Sequence, residues 1–137
     1  MKLTFVDTCV LIAAAVGKDE IARLAMQVLD DPQRSFVSST FVKLETLPKA
    51  TFNPRNEERL FYEAFFGQIS KWAEVHEELV QTAFDESCRV VGLSAMDSLH
   101  VAAAYQTGAD ELVTAEKSTK PLLRATLVPV KTIRPTA

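Results

Sequence analysis

The sequence predicts an α/β domain built on a mostly parallel sheet of about five strands. Three observations predict it. Short apolar runs of strand type alternate along the chain with stretches of helical apolar periodicity, and such alternation builds parallel sheets. The 137 residues suit a single domain, 1–137, able to bury a core without a disulfide or metal staple. At 47% hydrophobic and 24% charged residues, the composition is that of an ordinary soluble globular chain.

Residues 3–6 read as a buried strand that stops on Asp7 and Thr8, and the alanine-rich stretch 9–16 leaves as a helix. The carboxyl end of an early parallel strand is where such folds bind ligands. Taken alone, Asp7 reads first as the cap of the following helix. After Gly17, Lys18-Asp19-Glu20 opens a second helix. Its Ile21, Leu24, Ala25, Val28 and Leu29 keep the i, i+3, i+4, i+7, i+8 spacing, and Asp31-Pro32 ends it. Residues 35–38 form the second strand. Ser38-Ser39-Thr40 offers caps for a third helix carrying Phe41, Val42, Leu44, Glu45 and Leu47, punctuated at Pro48 and at Asn53-Pro54. Glu45 shares the face of Phe41 and Val42. There it wants a positive partner, a metal or an opening to water, unless it lies at the solvated edge of the stripe.

Residues 56–70 are helical, and the apolar arc of Leu60, Phe61, Ala64, Phe65, Phe66 and Ile69 is wide enough to serve a partner as well as the core. Residues 72–75 make a weak third strand. A stripe of Leu79, Val80, Ala83, Phe84, Ser87, Cys88 and Val91, closed by Gly92, marks the next helix. Ser94-Ala95-Met96-Asp97 then fits a capping box with Asp as its acid. The helix it opens is small and apolar on most sides through Ala104, hence interior, and ends at Thr107-Gly108. Residues 111–114 form a fourth strand. Leu122, Leu123 and Ala125 belong to a short helix, and 128–133 to a terminal strand that Pro129 assigns to a sheet edge.

The net charge of -3 argues against a generally basic nucleic-acid coat, though not against a local basic rim. Cys9 and Cys88 show no ligand spacing and read as small buried residues in a reducing compartment. With only His76 and His100, a multi-histidine metal site is excluded. Lys2 and Ala13-Ala14-Ala15 faintly resemble a signal peptide, but Asp7 interrupts the apolar stretch, so a cytoplasmic protein is expected. No apolar run approaches the ~20 residues that span a bilayer, and no membrane partner is expected.

Four acids then stand at comparable places: Asp7 after strand one, Glu45 on the helix after strand two, Asp97 at the start of an interior helix and Glu116 after strand four. Parallel strand ends share one rim. Carboxylates gathered there repel one another, a divalent cation removes that cost, and hard oxygen donors select Mg²⁺ or Mn²⁺. Such an ion beside a phosphodiester supports hydrolysis. Each acid also has a plainer reading: Asp97 as a capping acid, Glu116 as a surface residue in a charged turn.

The order of Phe5-Val6-Asp7-Thr8, Leu44-Glu45, Ser94-Ala95-Met96-Asp97 with Leu99-His100-Val101-Ala102-Ala103-Ala104, and Leu112-Val113-Thr114-Ala115-Glu116-Lys117 resembles PIN-domain ribonucleases. The chain looks most like the VapC-type toxins of VapBC toxin–antitoxin modules, over essentially its whole length. The resemblance implies a three-layer α/β/α fold and a Mg²⁺- or Mn²⁺-dependent endoribonuclease. It also implies frequent homodimers and an antitoxin that blocks the site. By position, Asp7, Glu45 and Asp97 match the family's principal acids and Thr114 a hydroxyl residue beside them. Glu116 stands where the family usually has Asp, which puts a strict two-metal mechanism in doubt.

Thr8 reads as a cap or supporting hydroxyl, since no paired base makes it a nucleophile, and His100 as a packed or hydrogen-bonded residue. Lys43, Lys49, Arg55, Lys117 and Lys120 flank the rim, and Lys43 and Lys117 are the expected RNA contacts. Two other readings remain. One is a PIN-like module that binds RNA or protein without cleaving. The other is a phosphoacceptor or phosphatase using Asp7 covalently, against which Cys9 stands where a second acid would be expected.

Overall fold

A computed structural model describes residues 1–52 and 56–135. The expected punctuation at Asn53-Pro54 and the rim cation Arg55 fall outside the described residues. The strands are β1 (Lys2–Val6), β2 (Arg34–Ser38), β3 (Lys71–Trp72), β4 (Glu111–Thr114) and β5 (Val130–Thr132). They form one sheet in the order β3-β2-β1-β4-β5, and every pairing is parallel. The helices are α1 (Thr8–Val16), α2 (Glu20–Leu29), α3 (Thr40–Phe52), α4 (Asn56–Phe66), α5 (Glu77–Arg89) and α6 (Ala95–Gln106), with a 3-10 turn at Pro121–Arg124.

The order of strands decides where the helices lie. From β1 the chain steps outward to β2 and β3, then crosses back to β4 on the far side of β1. Right-handed crossovers therefore put α1–α4 on one face and α5–α6 on the other. The contacts agree: α1 packs on α2, α3 and α4, while α5 packs on α6. The reversal falls between β1 and β4, so the crevice beyond their carboxyl ends is the switch point at which open α/β sheets bind ligands.

The core is continuous across both faces. Phe5, Val6, Val37, Leu112 and Val113 supply the sheet, and Val10, Leu11, Val42, Tyr62, Leu79 and Val101–Ala104 supply the helices. The alanines let α6 approach β2 and β4 closely. Gly108, at φ 74°, turns the chain out of α6 in a conformation that side-chain-bearing residues rarely adopt.

Several expectations need correcting. α3 does not stop at Pro48 but runs through it to Phe52. Pro48 and Leu44 lie on the exposed side, where water can serve the Leu44 carbonyl that proline leaves without an N–H. α4 ends at Phe66, four residues early, and its arc is divided: Phe65 and Phe66 are buried beside Tyr62, Phe61 and Ile69 are half-buried, and Leu60 and Ala64 are exposed. The α5 stripe is also rotated. Leu79 and Ala83 are buried beside Glu86, whereas Val80, Phe84, Cys88 and Val91 face solvent. Glu86 takes the inner position because its carboxylate accepts from the Thr126 and Leu127 amides at 2.6 and 3.2 Å.

Candidate active site

β1 delivers Asp7 to the switch point. Its amide donates to the Val113 carbonyl at 2.9 Å, tying the strand end to β4, and its Oδ1 accepts the Thr8 amide at 2.9 Å as the cap of α1. The cap reading is therefore correct, and it does not exhaust the residue. Oδ2 accepts the Thr114 hydroxyl at 2.8 Å and lies 3.3 Å from the Cys9 thiol. A helix cap needs one carboxylate oxygen; here the second is oriented by groups from α1 and β4.

Thr8 and His100 carry the network to Glu45. The Thr8 hydroxyl donates to Glu45 Oε1 at 2.7 Å, and His100 Nε2 lies 2.6 Å from the same oxygen and 3.9 Å from Asp7 Oδ1. His100 is buried, with its ring tilted against Phe5. The expectation that Glu45 wants a positive partner or an opening to water is met on both counts. Its side chain is 32% exposed, and the hydrogen bond from His100 holds its carboxyl below the usual range. Burial works against a charge on His100. The Glu45 hydrogen bond and the charges of Asp7, Glu45 and Asp97 outweigh it and raise the imidazole.

Asp97 occupies the first turn of α6, one turn before His100, and its amide donates to the Ser94 hydroxyl at 3.1 Å. Burial, then the charge of Asp7, pushes its carboxyl above the usual range; Glu116 adds to this and His100 draws it back. Glu116 is half-buried just beyond β4, and its amide donates to the Thr114 hydroxyl at 3.1 Å. Asp7, Thr8, Glu45 and Thr114 are thus joined by direct contacts, while Asp97 and Glu116 join through their electrostatic fields.

Among the described residues, no group of three or more His, Cys, Asp or Glu side chains stands in metal-binding geometry. Mg²⁺ is commonly held through only one or two carboxylates plus water. The donor chemistry fits such an ion, because Asp97 carries a repulsion from Asp7 and Glu116 that a cation removes.

The flanking cations divide. Lys43 sets its ammonium 4.4 Å from the Trp72 ring centre and 5.8 Å from that of Phe66, which holds it against α4 and β3. Lys49, Lys117 and Lys120 are exposed.

Cys9 is a residue that sequence reasoning placed wrongly. It is no simple apolar filler, since its sulfur accepts the Ala115 amide at 3.2 Å and lies 3.4 Å from the Thr114 hydroxyl. Burial and the adjacent Asp7 push its thiol up to about 12. Its position two residues after Asp7 was the available signal.

A family model described as PIN domain matches residues 4–120. The chain belongs to the PIN domain family. Two solved structures share its fold. A chain of VapBC2 from Rickettsia felis, bound to a DNA fragment from their promoter, aligns with a TM-score of 0.70 at 11% identity. That alignment covers 95% of this PIN domain chain and 98% of the other. A chain of DNA-bound VapBC from Salmonella typhimurium aligns with a TM-score of 0.68 at 17% identity, covering 98% and 100%. No curated protein matches the chain.

Proposed function

We propose that this PIN domain is a Mg²⁺- or Mn²⁺-dependent endoribonuclease that hydrolyses RNA phosphodiester bonds, and that it is the VapC-like toxin of a toxin–antitoxin pair. The observation that carries the reading is Asp7, held through both carboxylate oxygens at the sheet's switch point with Asp97 and Glu116 acting on the same rim.

Asp7 and Asp97 are the principal metal ligands in this reading, with Glu45 and Glu116 acting directly or through bound water. The ion would supply an activated water and stabilise charge on the leaving oxygen. Thr114 and Thr8 fix the carboxylates by hydrogen bonds, which limits their reorganisation as charge develops. His100 keeps Glu45 ionised and aimed at the rim. Lys117 offers positive charge for backbone phosphates, and Lys43 does so only by leaving its aromatic seat.

The structural likeness to chains of VapBC complexes supports an antitoxin as partner. A surface is available for it: Leu44 and Phe52, 67% and 86% exposed, flank an open groove of about 580 Å³ along α3. A homodimer is supported by the exposed Val80 and Phe84, one turn apart on α5. No helix among the described residues is long and apolar enough to cross a membrane. A non-cleaving RNA- or protein-binding module remains the second reading, favoured by Glu116 standing where the family usually has Asp.

The test is cleavage of a structured RNA pool by the purified protein with Mg²⁺, Mn²⁺ or EDTA. Cutting should require the metal and fall at least ~100-fold in Asp7→Asn. Folded, metal-binding protein that cuts nothing in the pool would favour the non-cleaving module.

A further inference from the structure

Beside the acidic rim lies a cavity of about 350 Å³ lined by Ile21, Lys117, Ser118, Thr119, Arg134 and Pro135. Its chemistry is the opposite of the rim's. Two cations and two hydroxyls face one space, on a loop that begins one residue after Glu116. We propose that this cavity is a phosphate-binding subsite for the RNA strand, seating a phosphodiester next to the one cut at Asp7. The inference rests on the ribonuclease reading and extends it to a part of the molecule outside the acid cluster.

Arg134 is the decisive residue. Its Nε donates to the carbonyl of Ala115, and its amide donates to the Thr132 hydroxyl at 3.1 Å. That hydroxyl in turn donates to the Glu116 carbonyl. The guanidinium is therefore tied to the Ala115 carbonyl just past β4, and the backbone of Arg134 is tied through Thr132 to the Glu116 carbonyl beside it. Its two terminal nitrogens make no hydrogen bond to protein among the described residues. A fixed guanidinium with two free N–H₂ groups is a preorganised phosphate fork.

The loop adds donors of its own. The Lys120 amide closes a turn on the Lys117 carbonyl at 3.0 Å. Within that turn the amides of Lys117, Ser118 and Thr119 donate to no protein acceptor among the described residues. The Lys117 ammonium has no ion-pair partner among them either. The acids nearest in sequence to Ile21 are engaged on their own helix: Asp19 accepts the Ala22 amide as the cap of α2, and Glu20 pairs with Arg23. The cavity thus carries a net positive field next to a site whose own acids would repel an RNA backbone. A cationic seat for the neighbouring phosphate offsets that repulsion and sets the strand's register.

The test measures binding separately from cleavage. Fluorescence anisotropy of a labelled single-stranded RNA would be recorded on the full chain carrying Asp7→Asn, from 50 to 200 mM salt. Arg134→Gln and Lys117→Gln would be added singly and together. Each should weaken binding roughly tenfold and reduce the slope of log K against log salt by about 0.7, equally for RNAs of different sequence. Arg134→Lys retains charge without the fork and should recover the slope but not the full affinity. Unchanged slopes in folded variants would overturn the subsite while leaving metal-dependent cleavage untouched. Slopes that fall as expected in a protein that never cuts RNA would keep the subsite and remove the nuclease. A parent that binds no RNA would overturn both.

Discussion

His100 shows how one side chain links stability to the site. Its Nε2 serves Glu45, while its Nδ1 is buried without a hydrogen-bond partner among the described residues. His100→Phe keeps a ring of similar size against Phe5 and removes the hydrogen bond. Because Glu45 is one-third exposed, solvent takes over part of the lost interaction. The expected cost in EDTA at pH 6 is about 1–2 kcal/mol of unfolding free energy, measured by urea denaturation. The folded-state value of His100 is raised. The contribution is therefore fully present below the unfolded value near ~6.5 and is lost as pH rises through the folded value. Wild type and variant should converge as pH increases; a gap that stays constant from pH 6 to 9 would show that the loss is packing rather than charge. The sequence marked His100 as a packed or hydrogen-bonded residue, but its partner sits 55 positions away on another helix and no local pattern encodes that pairing.

At the scale of elements, Glu86 explains why α5 turns a different face inward from the one its apolar stripe predicts. Burial opposes its charge. The Thr126 hydroxyl and amide, the Leu127 amide and Arg89 outweigh burial and hold the carboxyl below the usual range. The helix thereby clamps the segment that leads from the 3-10 turn into β5. A periodicity scan weighs apolar residues and cannot see that two backbone amides forty positions away need an acceptor. Glu86→Gln should lower the unfolding free energy by about 1–3 kcal/mol at pH 7. A depressed carboxylate stabilises above its unfolded value near ~4.3, and that contribution is lost as pH falls through the lower folded value. The difference between wild type and variant should therefore shrink as pH falls toward ~2. A constant offset in urea melts from pH 7 to 2 would mean that shape, not charge, is what Glu86 contributes.

For the molecule as a whole, alternation of strands and helices was legible because each element writes its own period into the chain. Four of the five strands stand where that pattern put them, β5 shortened to Val130–Thr132, whereas β3 is Lys71–Trp72 and shares only Trp72 with the expected 72–75. The rim was legible for the same reason: residues just past a parallel strand share an edge. What periodicity does not encode is which of two apolar faces meets the sheet, and two phenylalanines make the point. Phe65 lies in the wide arc read as serving a partner as well as the core, yet it is 7% exposed, with its ring tilted against Phe36 and edge-on to Phe66. Phe84 lies in the stripe read as core, yet it is 62% exposed. The same substitution should therefore give opposite results. Phe65→Asp places an unpaired carboxylate in the core and should cost at least about 4 kcal/mol, enough to unfold a marginal domain. Phe84→Asp should change stability by no more than about 0.5 kcal/mol in the monomer. If α5 is the seam between two copies, it should also reduce the mass measured by light scattering from twice the 15.1 kDa chain to one. Unfolding of Phe84→Asp, with Phe65→Asp intact, would mean that the two helices present the opposite faces to the sheet.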